Sequence, residues 1–257
     1  LLKVQACGIC GTDLHALQGG WEDYALGHEA CGIVEEIGEG VTTLKPGRRV
    51  AVECYTHCGE CEHCREGRHN LCRDIQFLGD SPPGAMAQYL AVAACSAHTV
   101  PESFNTATTV MIEPLAVALR AVRRSGLGAG DPIAIIGAGT IGLLCTAVAA
   151  AEGARVAVLA KHEHQVEAAR QMGATRVVKL GEEKPSEALP SGTRGLDAVI
   201  DTVAQGTSLN TAIDVCRKGG RVVLVGEVTR PMLAALSSLV HGEKTLTGSF
   251  CYAEEGG

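Results

Sequence analysis

One short segment of the chain carries four cysteines at the spacing C-x2-C-x2-C-x7-C, namely Cys58, Cys61, Cys64 and Cys72. Four thiolates can close a tetrahedral shell around zinc and leave no coordination position open. The segment therefore predicts a structural zinc site, which would fold a loop too small and polar to hold itself together. Two disulfides are the alternative, but twelve cysteines in a chain with no signal-like segment favour a reducing, cytoplasmic location.

A second group of candidate metal ligands lies upstream, in the segments Cys7-Gly-Ile-Cys10-Gly-Thr12-Asp13-Leu-His15 and Gly27-His28-Glu29. One thiolate, one imidazole and one carboxylate from this group would leave a fourth position on zinc open, as a catalytic site requires. An alcohol bound there would ionise to its alkoxide, as zinc-bound water ionises near neutral pH, and an alkoxide readily releases hydride. Cys7 and Cys10 could instead form half of a zinc ribbon, but the second pair of such a ribbon is missing.

Two residues of the upstream segment are candidates for proton transfer. A hydroxyl both donates and accepts hydrogen bonds, so Thr12 and His15 could pass the alcohol proton to solvent. The alternatives are a turn-capping role for Thr12 and a plain surface position for His15.

A glycine turn of the form G-x-G-x-x-G spans Gly137 to Gly142 and predicts a dinucleotide site. The turn follows a predicted strand and opens a predicted helix, which is the context that makes this short pattern informative. Gly137 would allow the tight turn, Gly139 would let the backbone approach a pyrophosphate, and Gly142 would let helix and strand pack closely. Thr140 and Ile141 complete the predicted cofactor-binding turn. The alternative is a plain tight turn without a ligand.

The end of the following strand bears on which dinucleotide binds. NAD sites usually carry an acidic residue about 20 residues after the glycine turn, where it bonds the ribose 2′-hydroxyl. Here the strand leads into Ala160, Lys161 and His162 with no acidic residue at its end. The nearest carboxylate, Glu163, fits better in the first turn of the next helix. Lys161 could pair with a 2′-phosphate, so the sequence favours NADP over NAD. The alternative is that Lys161 is merely solvated.

These candidate residues require two kinds of structural unit to position them. Residues 1–100 contain short β-branched runs separated by glycines, which predicts an antiparallel β domain. A helix is predicted at 111–125, with Pro114 in its first turn and Gly126 as its C-cap. From Asp131 onward, apolar strands alternate with helices, which predicts a parallel sheet covered on both faces. The predicted strands are 133–136, 155–159, 177–180, 196–201 and 221–225.

The composition excludes several other classes of protein. The net charge is −7 and no basic run is present, so nucleic acid is not an expected partner. No stretch approaches the roughly 20 apolar residues that a membrane span needs. The cysteines with no evident metal partner are expected to be small buried residues: Cys7, Cys31, Cys54, Cys95, Cys145, Cys216 and Cys251.

Taken together, these motifs resemble those of the zinc-containing medium-chain alcohol dehydrogenases. The segment Ile112-Glu113-Pro114-Leu115 looks like the polyol and sorbitol branch, which also resembles threonine and glucose dehydrogenases. By this resemblance Cys10, His28 and Glu29 hold the catalytic zinc, and Glu113 contacts the metal directly or through water.

The resemblance also implies an architecture and a reaction. A GroES-like catalytic domain at 1–122 would be joined to a Rossmann domain at 123–257. The reaction would be reversible oxidation of a secondary alcohol, polyol or sugar by NAD(P), through a zinc-bound alkoxide, in a homodimer or homotetramer that pairs near Thr245 to Tyr252. The family's first strands and its C-terminal return are missing, so the chain is expected to be an interior piece of a longer protein.

Two other functions are compatible with parts of this sequence. A zinc-free quinone or enoyl reductase of the same fold would lack both cysteine-containing clusters, so the sequence argues against it. A non-catalytic, zinc-stapled nucleotide-binding or regulatory protein is the remaining alternative. An open fourth position on zinc favours catalysis.

Overall fold

The structure is a computed structural model that describes residues 1–19, 26–79, 83–228 and 231–253. The chain forms two compact units. The first comprises Leu1–Pro114 together with the segment that begins at Tyr252, and the second comprises Leu115–Cys251. The predicted domain boundary between residues 122 and 123 falls inside a helix, Ile112–Ser125, and stays a prediction.

The first unit is built on an antiparallel sheet, as predicted. Its elements in chain order are β1 (Leu2–Gly8), α1 (Gly11–Gly19), β2 (Glu29–Val34), β3 (Arg49–Val52), β4 (Tyr55–Thr56), α2 (Glu62–Arg65), β5 (Gln76–Phe77), β6 (Tyr89–Leu90), β7 (Ala97–Thr99) and α3 (Thr106–Val110). Five strands form one sheet in the order β6-β1-β2-β3-β7, and β4 pairs with β5 in a separate hairpin. Alternate side chains of the main sheet, among them Leu2, Val34 and Val50, form the core of this unit.

The start of strand β2 places a candidate ligand in the sheet. The ladder of β2 with β1 extends to the pair Gly8 and Glu29. Glu29 is therefore the first residue of β2, and its backbone is held by the sheet.

The second unit is a six-stranded parallel sheet, also as predicted. The helix α4 (Ile112–Ser125) leads into this unit and belongs to it from Leu115 onward. The other elements are β8 (Pro132–Ile136), α5 (Thr140–Ala151), β9 (Arg155–Ala160), α6 (Glu163–Gln171), β10 (Arg176–Lys179), β11 (Leu196–Asp201), α7 (Ser208–Val215), β12 (Cys216–Leu224), α8 (Leu236–Gly242) and β13 (Thr245–Gly248). The strand order is β10-β9-β8-β11-β12-β13. Since β8 lies between β9 and β11, the order reverses at its carboxyl end, where ligands of such sheets bind.

Both faces of this parallel sheet are covered. Ile133, Ile135 and Val156 point to one face and pack against α5 and α6, while Leu159, Val199 and Val222 point to the other and pack against α7. All six of these side chains are buried, which explains why the strands read as continuous apolar runs in the sequence.

One strand of the second unit is longer than predicted. The sequence predicted a strand from Arg221, but β12 begins at Cys216 and passes through an irregular register between the pairs Leu196–Cys216 and Ala198–Arg221. Gly219, with φ of +68°, accommodates the extra residues. No helix within the described ranges is long and apolar enough to cross a membrane.

Candidate functional site

Three side chains of different chemistry converge where β1 ends and β2 begins. Cys10 lies in the turn between β1 and α1, His28 immediately precedes β2, and Glu29 opens that strand. One potential ligand atom from each of these residues lies within 4.8 Å of those of the other two. A thiol, an imidazole and a carboxyl at this separation match the donor set of a three-ligand zinc site with one open position.

Asp13 connects the two segments that carry these ligands. Its buried carboxylate accepts hydrogen bonds from the backbone N–H of Cys10 at 2.8 Å and of Gly27 at 2.9 Å. The same carboxylate lies 3.7 Å from Nδ1 of His28. Asp13 was part of the motif recognised in the sequence, but no role was predicted for it. Its buried position within α1 could not be seen from spacing alone.

Burial disfavours the charged forms of the ligands in this cluster. Desolvation is the main cause that raises the pKa values of the Cys10 thiol and of the Glu29 carboxyl. Desolvation, with the charges of Asp13 and Glu29, also raises the pKa of Cys7 to about 11. A divalent cation among these groups would stabilise their deprotonated forms. The donor set and its enclosed setting therefore fit a zinc ion.

The two residues predicted for proton transfer lie on α1. The hydroxyl oxygen of Thr12 is 3.8 Å from the sulfur of Cys10, so it adjoins the candidate ligand cluster. His15 follows one helical turn later and is half-buried. The i, i+3 spacing places the two side chains on the same side of the helix.

Glu113 is buried in the first turn of α4 and does not join the three-ligand group. Desolvation raises the pKa of this carboxyl to about 7, while hydrogen bonds from Cys54 and Tyr252 and the charge of His28 lower it. The hydroxyl of Tyr252 in turn accepts the backbone N–H of Cys54 at 2.9 Å. The Tyr252 carbonyl accepts the hydroxyl of Tyr55. Glu113 is thus held by groups that sequence reasoning did not assign to the site.

The four cysteines predicted for a structural zinc site also converge. Their sulfur atoms all lie within 4.8 Å of one another, with 3.9 Å between Cys58 and Cys64 and 3.5 Å between Cys58 and Cys72. Zinc–sulfur bonds of about 2.3 Å give sulfur–sulfur edges of about 3.8 Å in a tetrahedron, whereas a disulfide is about 2.05 Å long. All twelve cysteines have free thiols. The spacing therefore fits zinc and not a disulfide.

Backbone N–H groups point at the sulfurs of this lobe, which comprises residues 58–74. The N–H groups of Cys58 and Asp74 donate to the sulfur of Cys72, and the N–H of Cys61 donates to the sulfur of Cys58, each at 3.3 Å. Hydrogen bonds from the backbones of Arg73 and Cys64 lower the pKa of the Cys61 thiol to about 6. Such donors stabilise thiolates, which are the form that binds zinc.

The cysteines that were not predicted as metal ligands differ in how far they are buried. Cys31, Cys54, Cys145 and Cys216 are buried, as expected, whereas Cys7 and Cys251 are half-buried and Cys95 is exposed. The expectation of burial was therefore wrong for Cys95, which lies in a surface turn before β7. His57, His63 and His69 are half-buried, and the last two lie within the lobe.

The glycine turn in the second unit has the geometry of a phosphate cradle. A Cβ on Gly142 would lie 2.0 Å from the carbonyl oxygen of Gly137, so only glycine allows the observed contact between helix and turn. A Cβ on Gly139 would meet no atom of the described chain within 4 Å, and would occupy open space in front of α5. Thr140 and Ile141 form the first turn of α5, whose N-terminus has no side-chain cap. Its free N–H groups suit an anion.

Lys161 directly follows β9, which ends at Ala160, and Lys161 is exposed. No carboxylate among the described residues pairs with its ammonium group. Glu163 is the first residue of α6, and its carboxylate lies 2.8 Å from the ammonium of Lys179. The nearest acidic side chain is therefore engaged elsewhere, as its predicted place in the helix required.

Comparison with known proteins gives matches over nearly the whole chain. The family model described as the alcohol dehydrogenase GroES-like domain matches residues 1–102, and the model described as zinc-binding dehydrogenase matches residues 140–256. The sorbitol dehydrogenase of Bacillus subtilis (strain 168) is 38% identical over 237 residues, which cover 88% of this chain and 67% of that protein.

Two solved structures show the same likeness in three dimensions. One is of a protein assigned as a zinc-binding dehydrogenase from Sinorhizobium meliloti 1021, with NADP bound. It has a TM-score of 0.90 and 33% identity, and the match covers 98% of this chain and 77% of that one. The other is the alcohol dehydrogenase RspB of Escherichia coli CFT073, with NADH bound. It has a TM-score of 0.91 and 28% identity, covering 99% and 76% of the two chains.

Proposed function

Because the chain belongs to the zinc-containing medium-chain alcohol dehydrogenase family, we propose that it transfers hydride between a secondary alcohol, polyol or sugar and NAD(P). The likeness to a sorbitol dehydrogenase supports the polyol class. We propose that the partners of the chain are such small molecules and further copies of itself, in a homodimer or homotetramer.

The convergence of Cys10, His28 and Glu29 is the observation that carries this proposal. These three residues would hold a catalytic zinc, and Cys58, Cys61, Cys64 and Cys72 would hold a structural one. Zinc bound by three protein ligands supplies a Lewis acid that favours ionisation of an alcohol hydroxyl at neutral pH. The four-cysteine site offers no open position and would only stabilise its lobe.

The chain's own residues would then manage the proton and the orientation of the substrate. The hydroxyl of Thr12, beside Cys10, would accept the alcohol proton, and His15 would pass it to solvent. The buried carboxylate of Glu113 is anchored by Cys54 and Tyr252, so it would present a fixed acceptor, either to the metal directly or through water. A fixed acceptor in an enclosed site orients a hydroxylated substrate.

The glycine turn would bind the pyrophosphate of the dinucleotide. Gly137, Gly139 and Gly142, with Thr140 and Ile141 at the start of α5, form this cradle. We favour NADP, since the strand end offers the Lys161 ammonium, no carboxylate of the described chain pairs with it, and Glu163 is paired with Lys179 instead. Lys161 would pair with the 2′-phosphate.

The proposal is tested by following nicotinamide absorbance while polyols, sugars and secondary alcohols are offered with NADP or NAD, with and without a zinc chelator. We expect chelator-sensitive turnover that prefers NADP. Turnover that prefers NAD would retain the zinc-dependent function and contradict the role of Lys161. A chain that binds zinc and dinucleotide but turns over none of these alcohols would contradict the enzyme and favour the non-catalytic alternative.

A further inference from the structure

The strand beside β9 places a second lysine at the cofactor end of the parallel sheet. The register of β9 and β10 pairs Ala160 with Lys179, so Lys161 follows directly on the residue opposite Lys179. The Lys179 side chain extends to the start of α6, where its ammonium meets the carboxylate of Glu163 at 2.8 Å. Two lysines therefore flank the point at which a dinucleotide ribose lies in this kind of fold.

The backbone N–H groups that follow β9 already have hydrogen-bond partners. The N–H groups of Lys161 and His162 both donate to the side-chain oxygen of Gln165, each at 3.1 Å. A phosphate arriving beside them would have to displace Gln165 or be bound by side-chain cations. The lysine side chains are thus the available partners.

The charge of Lys179 is neutralised in the structure. Glu163 and Glu182 each lie 2.8 Å from its ammonium, and their hydrogen bonds raise the pKa of Lys179, so it stays charged. Two lysines and two glutamates at this strand end sum to zero charge. The Lys179 side chain is 28% exposed and Glu163 is 74% exposed, so the glutamate has more freedom to move away.

We propose that Lys179 is a second cation for the 2′-phosphate of NADP, and that Glu163 competes with this phosphate for it. The inference rests on the proposed dinucleotide site and adds two residues to the determinants of cofactor choice. With Lys179 paired to Glu163 and Glu182, Lys161 would meet the phosphate beside a group of net charge −1. When the Glu163 carboxylate leaves the Lys179 ammonium, the 2′-phosphate forms a second ion pair, with Lys179. The repulsion between this phosphate and the Glu163 carboxylate falls at the same time.

The experiment is equilibrium binding of 2′,5′-ADP and of 5′-AMP, which differ only in the 2′-phosphate. Calorimetry at low ionic strength keeps screening of these exposed charges small. The variants are Glu163→Gln, Lys179→Met and their combination. Glu167→Gln is the matched control, because this carboxylate lies on the same helix but contacts Gln171 and Arg170 instead of Lys179.

We expect Glu163→Gln to tighten 2′,5′-ADP binding about fivefold and Lys179→Met to weaken it about fivefold, with 5′-AMP unchanged in both. The effect of Glu163→Gln should disappear in the Lys179→Met background, because the double-mutant cycle isolates their coupling. Glu167→Gln should change neither affinity.

Two results would overturn the inference. One is that neither variant changes the affinity for 2′,5′-ADP. The other is that Glu163→Gln tightens binding equally with and without Lys179, since Glu163 would then act by general repulsion.

The NADP preference can fail separately. If the unaltered chain binds 2′,5′-ADP no more tightly than 5′-AMP, the proposed preference is wrong. A Lys179-dependent gain in Glu163→Gln would even then support the competition proposed here, and its absence would refute it.

Discussion

At the scale of single residues, Asp13 determines how the candidate catalytic ligands meet. Cys10 follows β1 and His28 precedes β2, and the β1–β2 ladder ends at the pair Gly8 and Glu29, before it reaches either ligand. The Asp13 carboxylate binds an N–H on each side, at Cys10 and at Gly27. Loss of a group that holds metal ligands in place typically lowers metal affinity by about 10- to 100-fold.

We expect Asp13→Asn to lower affinity for the catalytic metal by about 10- to 100-fold while the four-cysteine site keeps its zinc. An amide cannot accept two N–H bonds and also face His28 as an anion does. Metal analysis of the dialysed protein should give close to one zinc per chain instead of two.

Asp131→Asn is the control, because Asp131 accepts a backbone N–H from Gly128 in an exposed turn of the second unit. It should retain both zinc ions. Full zinc content and unchanged turnover in Asp13→Asn would show that the carboxylate is not needed to align the ligands.

At the scale of elements, Gly139 and Gly142 lie at the junction of β8 and α5, and the reason for glycine differs between the two positions. Gly142 is needed for packing, because a Cβ at this position would lie 2.0 Å from the Gly137 carbonyl oxygen. Gly139 has φ of −81°, which any residue adopts, and open space where its Cβ would be. Glycine at 139 is therefore unnecessary for folding and is explained by the approach of a ligand.

We expect Gly139→Ala to weaken dinucleotide binding at least about tenfold with a stability loss below about 1 kcal/mol. Gly142→Ala should lower the free energy of unfolding by about 1–3 kcal/mol, because the added methyl group overlaps backbone. Fluorescence titration with NADPH and denaturant unfolding measure the two effects. Unchanged NADPH affinity in Gly139→Ala would contradict the phosphate cradle.

At the scale of the whole molecule, the two units have separate cores, and only the first contains metal clusters among the described residues. The zinc lobe holds a four-residue helix and a three-residue turn of 3₁₀ helix, which are too short to be stable alone. Its order should therefore depend on zinc, whereas the parallel sheet should not.

Cys72→Ser tests this dependence by hydrogen exchange. We expect exchange of the amides in residues 58–77 to accelerate at least about tenfold, with strands β8, β9 and β11 unchanged. Cys95→Ser is the matched control, because this cysteine is exposed and outside the lobe. Equal protection of the lobe in both variants would mean that it folds without metal.

Much of this molecule was determined by local sequence. The four-cysteine lobe, the glycine turn and the alternation of strands and helices each lie within a short stretch, so spacing and periodicity were enough to predict them. The sequence also predicted that Glu163 belongs to the first turn of the next helix and not to the strand end, and Glu163 is the first residue of α6.

Only the tertiary structure decided which distant groups share a site. Tyr252 reaches Cys54 across 198 residues and, with it, anchors Glu113. Lys179 reaches Glu163 because parallel strands align their carboxyl ends, and Asp13 reaches Gly27 because β1 pairs with β2. Such contacts depend on strand register and on burial, and neither is encoded in the spacing of any single motif.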